Sequence, residues 1–153
     1  MKAVIQRVSR AEVRVDGEVV GKIGEGYLIL VGVMNGDTIN EAQLLARKTA
    51  NLRIFTDEND KMNRSILDID GEVLAVSQFT LCADVHKGNR PSFIESAPPQ
   101  EANALYEAFC NALSENGVRK VEKGVFGAHM EVSLLNNGPV TILYDTDTWK
   151  GKA

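Results

Sequence analysis

The apolar positions of this chain change their spacing along its length, and each change predicts an element. From Lys2 to Val33 the pattern is extended: Val4, Val8, Val13 and Val15 are spaced like a strand. Asp16-Gly17 supplies a two-residue hairpin signal, and Glu18 to Ile23 reads as the returning strand. Gly24 and Gly26 punctuate, and Tyr27-Leu28-Ile29-Leu30-Val31 follows as a nearly continuous apolar run. A run of that kind predicts a strand covered on both faces.

The period then lengthens. Thr38 opens a helix, with Glu41 three residues on to complete a capping box. Ala42, Leu45, Ala46 and Leu52 give that helix one apolar side through residue 52. Phe55 to Leu67 predicts a hairpin or irregular segment that turns at Asp57-Glu58-Asn59-Asp60. Glu72 to Phe79 predicts a mostly apolar strand ending in Ser77-Gln78-Phe79-Thr80-Leu81. Residues 83–97 have no periodicity and read as a long loop, of the kind that tends to be functional. Pro98-Pro99 begins a second helix; Ala102, Leu105, Tyr106, Phe109 and Leu113 line one face and Gly117 ends it. Val118–Val121, His129–Leu135 and Val140–Tyr144 complete the strands, and residues 145–153 read as a polar, loosely held tail. The sum is one α/β (α+β) domain over residues 1–153, mostly antiparallel, with two main helices packed on the sheet.

Composition narrows the class. A chain of 153 residues can bury a sizeable core without disulfide or metal staples. With 44% hydrophobic and 25% charged residues it resembles an ordinary soluble protein. No apolar run approaches the roughly 18 residues that would cross a bilayer. The N-terminus alternates rather than forming a signal peptide's apolar core, so a cytoplasmic setting without membrane contact is expected. Two cysteines, Cys82 and Cys110, give no disulfide framework. The net charge of −4 lacks the basic footprint of a protein that grips long stretches of nucleic acid. A nucleic-acid partner would have to be held locally, by Lys87 and Arg90 or by Arg119, Lys120 and Lys123. Either group also reads as part of a mixed solvated surface.

Most catalytic signatures are absent. Cys82 and His86 stand four apart, but with His129 distant they do not make a metal site, and no metal or cofactor is expected. There is no nucleophile elbow, phosphate-binding loop or dinucleotide fingerprint. What remains is Ser77, Gln78, Phe79 and Thr80 at the end of an apolar strand. Alternation puts Ser77 and Phe79 on one face, Gln78 and Thr80 on the other. The plain reading is a strand leaving the core with its hydroxyls bonded to backbone. Two functional readings stand beside it: Ser77 or Thr80 as a nucleophile, for which no base is evident, or terminal N–H groups as donors to an oxyanion. The second segment is Asn136-Asn137-Gly138-Pro139-Val140-Thr141, a turn signal with a Gly-Pro bond. An ordinary trans proline opening a strand is its plain reading, although cis costs only about 0.5–1 kcal/mol before proline.

Together, Ser77-Gln78-Phe79-Thr80-Leu81 and Asn136–Thr141 resemble the D-aminoacyl-tRNA deacylase family. Met1–Val8, Lys87–Phe93 and Gly124–Met130 are similar to the same family, so the likeness runs along essentially the whole chain. Asn137 departs from an acidic residue frequent there, at a tolerant position. The resemblance implies a barrel-like fold and hydrolysis of the ester joining a D-amino acid to the terminal adenosine of tRNA. It implies glycyl-tRNA as a further substrate, rejection of L-aminoacyl-tRNA, and a homodimer with active sites at the subunit interface. Gly138-Pro139, cis in the family, would reach from one subunit to Ser77, Gln78, Phe79 and Thr80 of the other. Catalysis would rest on N–H groups near Phe79 and Thr80 and on the tRNA's own 2′-OH, with Thr80 as covalent nucleophile in the rival scheme. Gln78 would orient the adenosine or α-amino group, and Arg7 and Met130 would line the pocket. The alternative is a non-catalytic nucleic-acid or partner-binding module on the same fold; a general esterase is disfavoured by the missing nucleophile–base pair.

Overall fold

The computed structural model describes residues 1–150. In chain order the elements are β1 (Lys2–Val15), β2 (Glu18–Ile23), β3 (Gly26–Gly32), α1 (Ile39–Asn51), β4 (Phe55–Thr56) and β5 (Met62–Arg64). They continue with β6 (Glu72–Ser77), α2 (Pro99–Glu115), β7 (Lys120–Lys123) and β8 (Glu131–Asp145). Short 3₁₀ turns occupy Phe79–Cys82 and Thr146–Trp149.

β1 organises the sheet by pairing with three strands. Its first half runs antiparallel to β3, its second half to β2, and β8 follows it antiparallel along almost its whole length. Sharing one strand among three partners makes the sheet curl into a barrel-like, nearly closed form. On the other side β3 pairs with β6 and β6 with β7, both parallel. Parallel neighbours need a crossover, and α1 and α2 provide the two. The sheet is therefore mixed where the strand patterns predicted mostly antiparallel pairing. The two helices lying between apolar strands are the physical reason.

Local sequence chemistry accounts for most boundaries. Asp16 and Gly17 both have positive φ (50° and 80°), the backbone of a tight hairpin turn, and join β1 to β2 as expected. Thr38 caps α1: its hydroxyl accepts from the Asn40 N–H while the Glu41 carboxylate accepts from the Thr38 N–H at 2.7 Å. α2 begins on Pro99, whose missing N–H costs nothing in a first turn, and stops before Gly117 at φ +105°. The Asp57 carboxylate accepts from the Asn59 and Lys61 N–H groups and closes the small β4–β5 hairpin.

Apolar residues form two clusters, one on each side of the sheet. The larger joins Ile5, Tyr27, Ile29, Val73 and Ala75 to the inner faces of α1 and α2. The smaller holds Val8, Val13, Leu28, Leu74 and Val76 inside the curled sheet. β3 contributes to both, as its continuous apolar run predicted.

Two expectations change at the C-terminus. The strands expected at His129–Leu135 and Val140–Tyr144 are not separate but fall within the single β8, which starts only at Glu131. The segment from Asp145 is not loose as far as the structure describes it: Thr146 is buried and its hydroxyl accepts from the Met1 ammonium at 2.7 Å. That ammonium is also ion-paired with Asp37 at 2.8 Å. Residues 151–153, the remainder of that expected tail, lie outside the described residues. No helix among the described residues is long and apolar enough to cross a membrane.

Candidate active site

β6 ends at Ser77, and the next residue makes the last sheet bond: the Gln78 N–H donates to the Val31 carbonyl at 2.8 Å. The chain then folds into the 3₁₀ turn Phe79–Cys82, which stops the alternation predicted for Phe79 and Thr80. Gly32 lets this turn pack closely. A Cβ there would lie 3.0 Å from Leu81 Cβ and 3.2 Å from the Gln78 carbonyl oxygen, tight enough to push the turn from β3 by a few tenths of an ångström. The first N–H groups of such a turn have no partner within it, and those of Phe79 and Thr80 donate to none elsewhere among the described residues. Both amides are free to receive an oxygen from a ligand. The Gln78 side-chain amide donates to the Thr80 hydroxyl at 2.8 Å, joining the two residues that alternation had already placed on one face.

The turn forms one wall of a cleft of about 800 Å³. It opens at the carboxyl ends of β3 and β6, where ligands of sheets with parallel strands commonly sit. Ser77, Gln78, Phe79 and Thr80 line it together. The start of α2, with Pro99 and Ala102, forms a second wall, and Phe126 to Met130 with Val132 forms a third. Phe79 is 57% exposed and meets Phe93 edge to face, ring centroids 5.0 Å apart. Met130 lies in the cleft, passing close over Gly124, where a Cβ would meet its sulfur at 2.7 Å. Phe93, Phe126 and His129 also line the cleft and were not singled out in the sequence. They come from loops without periodicity, and only tertiary folding brings them there. His129 is solvent-exposed.

Neither cysteine is a nucleophile of this cleft. Burial pushes the Cys82 thiol up, and its sulfur donates to the Val33 carbonyl at 3.4 Å. Cys110 sits on the buried face of α2, its pKa pushed up to about 12 chiefly by burial. No cluster of three metal-ligating side chains occurs among the described residues.

The remaining predicted residues lie elsewhere on the chain. Asn137 to Val140 form an excursion within β8: Asn136 still pairs with Val8 and Thr141 with Gln6, so four residues bulge opposite Arg7 alone. The Gly138–Pro139 bond is cis, and both residues are exposed. Arg7 supports the bulge from beneath. Its Nε donates to the Asn137 carbonyl at 3.1 Å and its Nη1 to the Ile54 carbonyl at 2.7 Å. The Asn136 carboxamide oxygen accepts from the Val140 N–H at 3.0 Å and closes the bulge on itself. Gly138 has φ +129°, and a Cβ there would fall 2.9 Å from Val140 Cγ2. Arg7, Gly138 and Pro139 therefore form one braced, outward-facing unit that does not line the cleft of their own chain.

Comparison with known proteins agrees with this geometry. Two solved structures share this fold. One, "c-Myc DNA Unwinding Element Binding Protein", superposes with a TM-score of 0.89 at 43% identity, covering 95% of this chain and 98% of that one. The other, described as a probable eukaryotic D-amino acid tRNA deacylase, gives 0.80 at 18% identity over 94% and 97%, and speaks to the fold alone. In sequence, the D-aminoacyl-tRNA deacylase of Anaeromyxobacter dehalogenans is 59% identical over 146 residues, 95% of this chain and 97% of that protein. That of Thermomicrobium roseum is 58% identical over 151 residues, 99% of this chain and 97% of its own length. Residues 4–145 match the model of the D-Tyr-tRNA(Tyr) deacylase family, and the chain belongs to that family.

Proposed function

We propose that this protein hydrolyses D-aminoacyl-tRNA in the cytoplasm, releasing the D-amino acid and an intact tRNA. Family membership makes it a hydrolase of aminoacyl-tRNA esters. The observation that carries the chemistry is the pair of free amides at Phe79 and Thr80 on the cleft wall. When water attacks the ester carbonyl, negative charge gathers on its oxygen, and preformed N–H donors there stabilise the transition state. One such donor is worth roughly 10²–10³ in rate. The tetrahedral species then expels the ribose 3′-oxygen, which takes up a proton, and the amino acid leaves as a carboxylate. The neighbouring ribose 2′-OH relays that proton, since among the described residues no side-chain base is hydrogen-bonded to Ser77 or Thr80. Gln78 orients the adenosine or the α-amino group, and Met130 packs against the substrate.

Selectivity for the D form needs a different device. Mirror-image substrates carry identical groups, and a methylene in an apolar pocket discriminates by only about 1–3 kcal/mol. A rigid backbone wall that clashes with an L side chain can reject it outright. The braced Gly138–Pro139 unit, outward-facing and outside its own cleft, suits that task if a second copy of the chain presents it to the Ser77–Thr80 turn. The active form is then a homodimer with its sites at the interface. Glycine has no side chain to reject, so glycyl-tRNA, including glycine on a non-cognate tRNA, is a substrate too.

The test is ester loss from D-tyrosyl-, L-tyrosyl- and glycyl-tRNA with purified protein. D and glycyl esters are cleaved and the L ester survives; equal cleavage of D and L would remove the wall. A second reading, nucleic-acid binding without hydrolysis, is favoured by the DNA-binding name of the 43% identical structure. The net charge of −4 weighs against it. An intact D ester after incubation at micromolar enzyme would leave that reading standing.

A further inference from the structure

The proposed reaction leaves open how an acidic protein holds a polyanion while its cleft takes only the terminal residue. Of the two basic groups in the sequence, one is already neutralised. Arg119 pairs with Asp70 at 2.7 Å, Lys123 with Glu107 at 2.8 Å, and Lys120 with Glu72 at 3.6 Å. Lys87 and Arg90 differ: both are exposed, and neither has an ion-pair or hydrogen-bond partner among the described residues.

They occupy the tip of a small closed loop. Asp84 and Ser92 clasp its base by reciprocal backbone bonds of 2.8 and 2.9 Å, and Gly88 turns the chain at φ +64°. A second tie, the contact of the His86 ring with the Asp84 carboxylate, holds the near side. The far strand of this loop runs directly into Phe93, which lines the cleft and packs on Phe79. At up to about 3.6 Å per residue, Arg90 lies within about 11 Å of Phe93 along the chain. The two unpaired cations thus stand beside the cleft mouth on a loop fixed at its base.

We propose that Lys87 and Arg90 are positioning residues that grip backbone phosphates of the single-stranded tRNA end next to the nucleotide in the cleft. This rests on the functional reading above and names its substrate contact. Side chains bound to phosphates hold register without reading bases, which suits an enzyme acting on one amino acid across many tRNAs. Unpaired cations are also the only kind able to release condensed counterions on binding; those paired with Asp70, Glu72 and Glu107 cannot do so without losing their partners.

The experiment compares two esters of the same D-amino acid: D-tyrosyl-tRNA and D-tyrosyl-adenosine, which has no phosphate. Wild type, Lys87→Gln/Arg90→Gln and the charge-matched control Arg119→Gln/Lys123→Gln are assayed over a range of salt. For the loop variant we expect kcat/KM on tRNA to fall at least about tenfold at low salt, mainly through KM. Its dependence on log salt should flatten by about 1.4, from about 0.7 per phosphate on single strands. On the adenosine ester the loss should stay within about twofold, and the control should keep the wild-type salt slope. Lys87→Arg should keep most of the tRNA activity, because it keeps the charge. Unchanged KM and salt slope on tRNA would overturn the proposal. So would an equal loss on both esters, which would make the loop a mere support of the cleft. If wild type cleaves neither ester, the functional reading itself fails, a result distinct from either of these.

Discussion

Arg7 and Asn137, 130 positions apart, are joined by a single charged hydrogen bond of 3.1 Å that fixes the root of the Gly138–Pro139 bulge. The same guanidinium reaches the Ile54 carbonyl at 2.7 Å, so one planar fork ties the bulge to the segment after α1. Arg7→Ala removes both bonds and is expected to cost roughly 1.5–3 kcal/mol of stability, readable by urea unfolding. The larger effect falls on selectivity: the ratio of D- to L-tyrosyl-tRNA hydrolysis drops because the bulge is no longer braced. Arg7→Lys recovers little, since an ammonium cannot span two carbonyls in a fixed plane. An Arg7→Ala enzyme with wild-type discrimination would show that the bulge needs no brace.

A second prediction concerns a residue with no side chain. Gly32→Ala places a Cβ 3.0 Å from Leu81 Cβ and 3.2 Å from both Cys82 Sγ and the Gln78 carbonyl oxygen. Two of these contacts belong to the core of the turn and cannot swing aside, so the Phe79–Cys82 turn must shift. Overpacking of this kind costs about 1–3 kcal/mol. A displacement of a few tenths of an ångström at the Phe79 and Thr80 amides is expected to lower kcat by about 3–10-fold with KM little changed. Steady-state kinetics on D-tyrosyl-tRNA decide it, and an unchanged kcat would mean those amides are not the oxyanion donors.

These two residues also mark where the sequence stopped being legible. The Asp16-Gly17 turn, the Thr38–Glu41 box and the Pro99 start were readable because each is settled by chemistry within a few residues. The Ser77–Thr80 segment was readable as a polar end on an apolar strand, but not as a 3₁₀ turn, because its packing against Gly32 on another strand is not local. The β8 bulge read as a loop entering a strand, since nothing local shows that Val8 and Gln6 continue pairing on both sides of it. Phe93, Phe126 and His129 lay within segments that resemble the family, but nothing local marked them individually as cleft residues. Arg119, Lys120 and Lys123 looked like a basic cluster until Asp70, Glu72 and Glu107 were found opposite them.

Stability should fall on the alkaline side. Burial raises the Cys110 thiol from 9.0 to about 12, and burial raises Tyr144 from 10.0 to about 12. A group that holds its proton more tightly when folded stabilises the fold fully below its unfolded pKa and loses that contribution as pH rises to its folded one. For Cys110 the window is therefore from about pH 9 to about 12. Within it each such group contributes a slope of about −1.4 kcal/mol per pH unit to the unfolding free energy. Cys110→Ala should leave a shallower fall between pH 9 and 11, measured by urea unfolding at fixed ionic strength. Parallel curves for the two proteins would show that the thiol does not titrate on unfolding.

Thr80 decides between the two catalytic schemes. Its hydroxyl oxygen already accepts from the Gln78 amide at 2.8 Å, and among the described residues no carboxylate or imidazole is hydrogen-bonded to it to take its proton. A hydroxyl so placed is a poor nucleophile, whereas its backbone N–H remains free. Thr80→Ala keeps that N–H and is expected to retain turnover within about tenfold of wild type. A D-tyrosyl-tRNA ending in 2′-deoxyadenosine, by contrast, should be cleaved about 10²–10⁴ times more slowly, the usual worth of positioned acid–base help. His129→Gln, assayed alongside, should match wild type if the ribose hydroxyl rather than this exposed imidazole moves the proton. Single-turnover ester loss measures all three. Collapse of Thr80→Ala to background, with the deoxy substrate cleaved at full rate, would instead make Thr80 the covalent nucleophile.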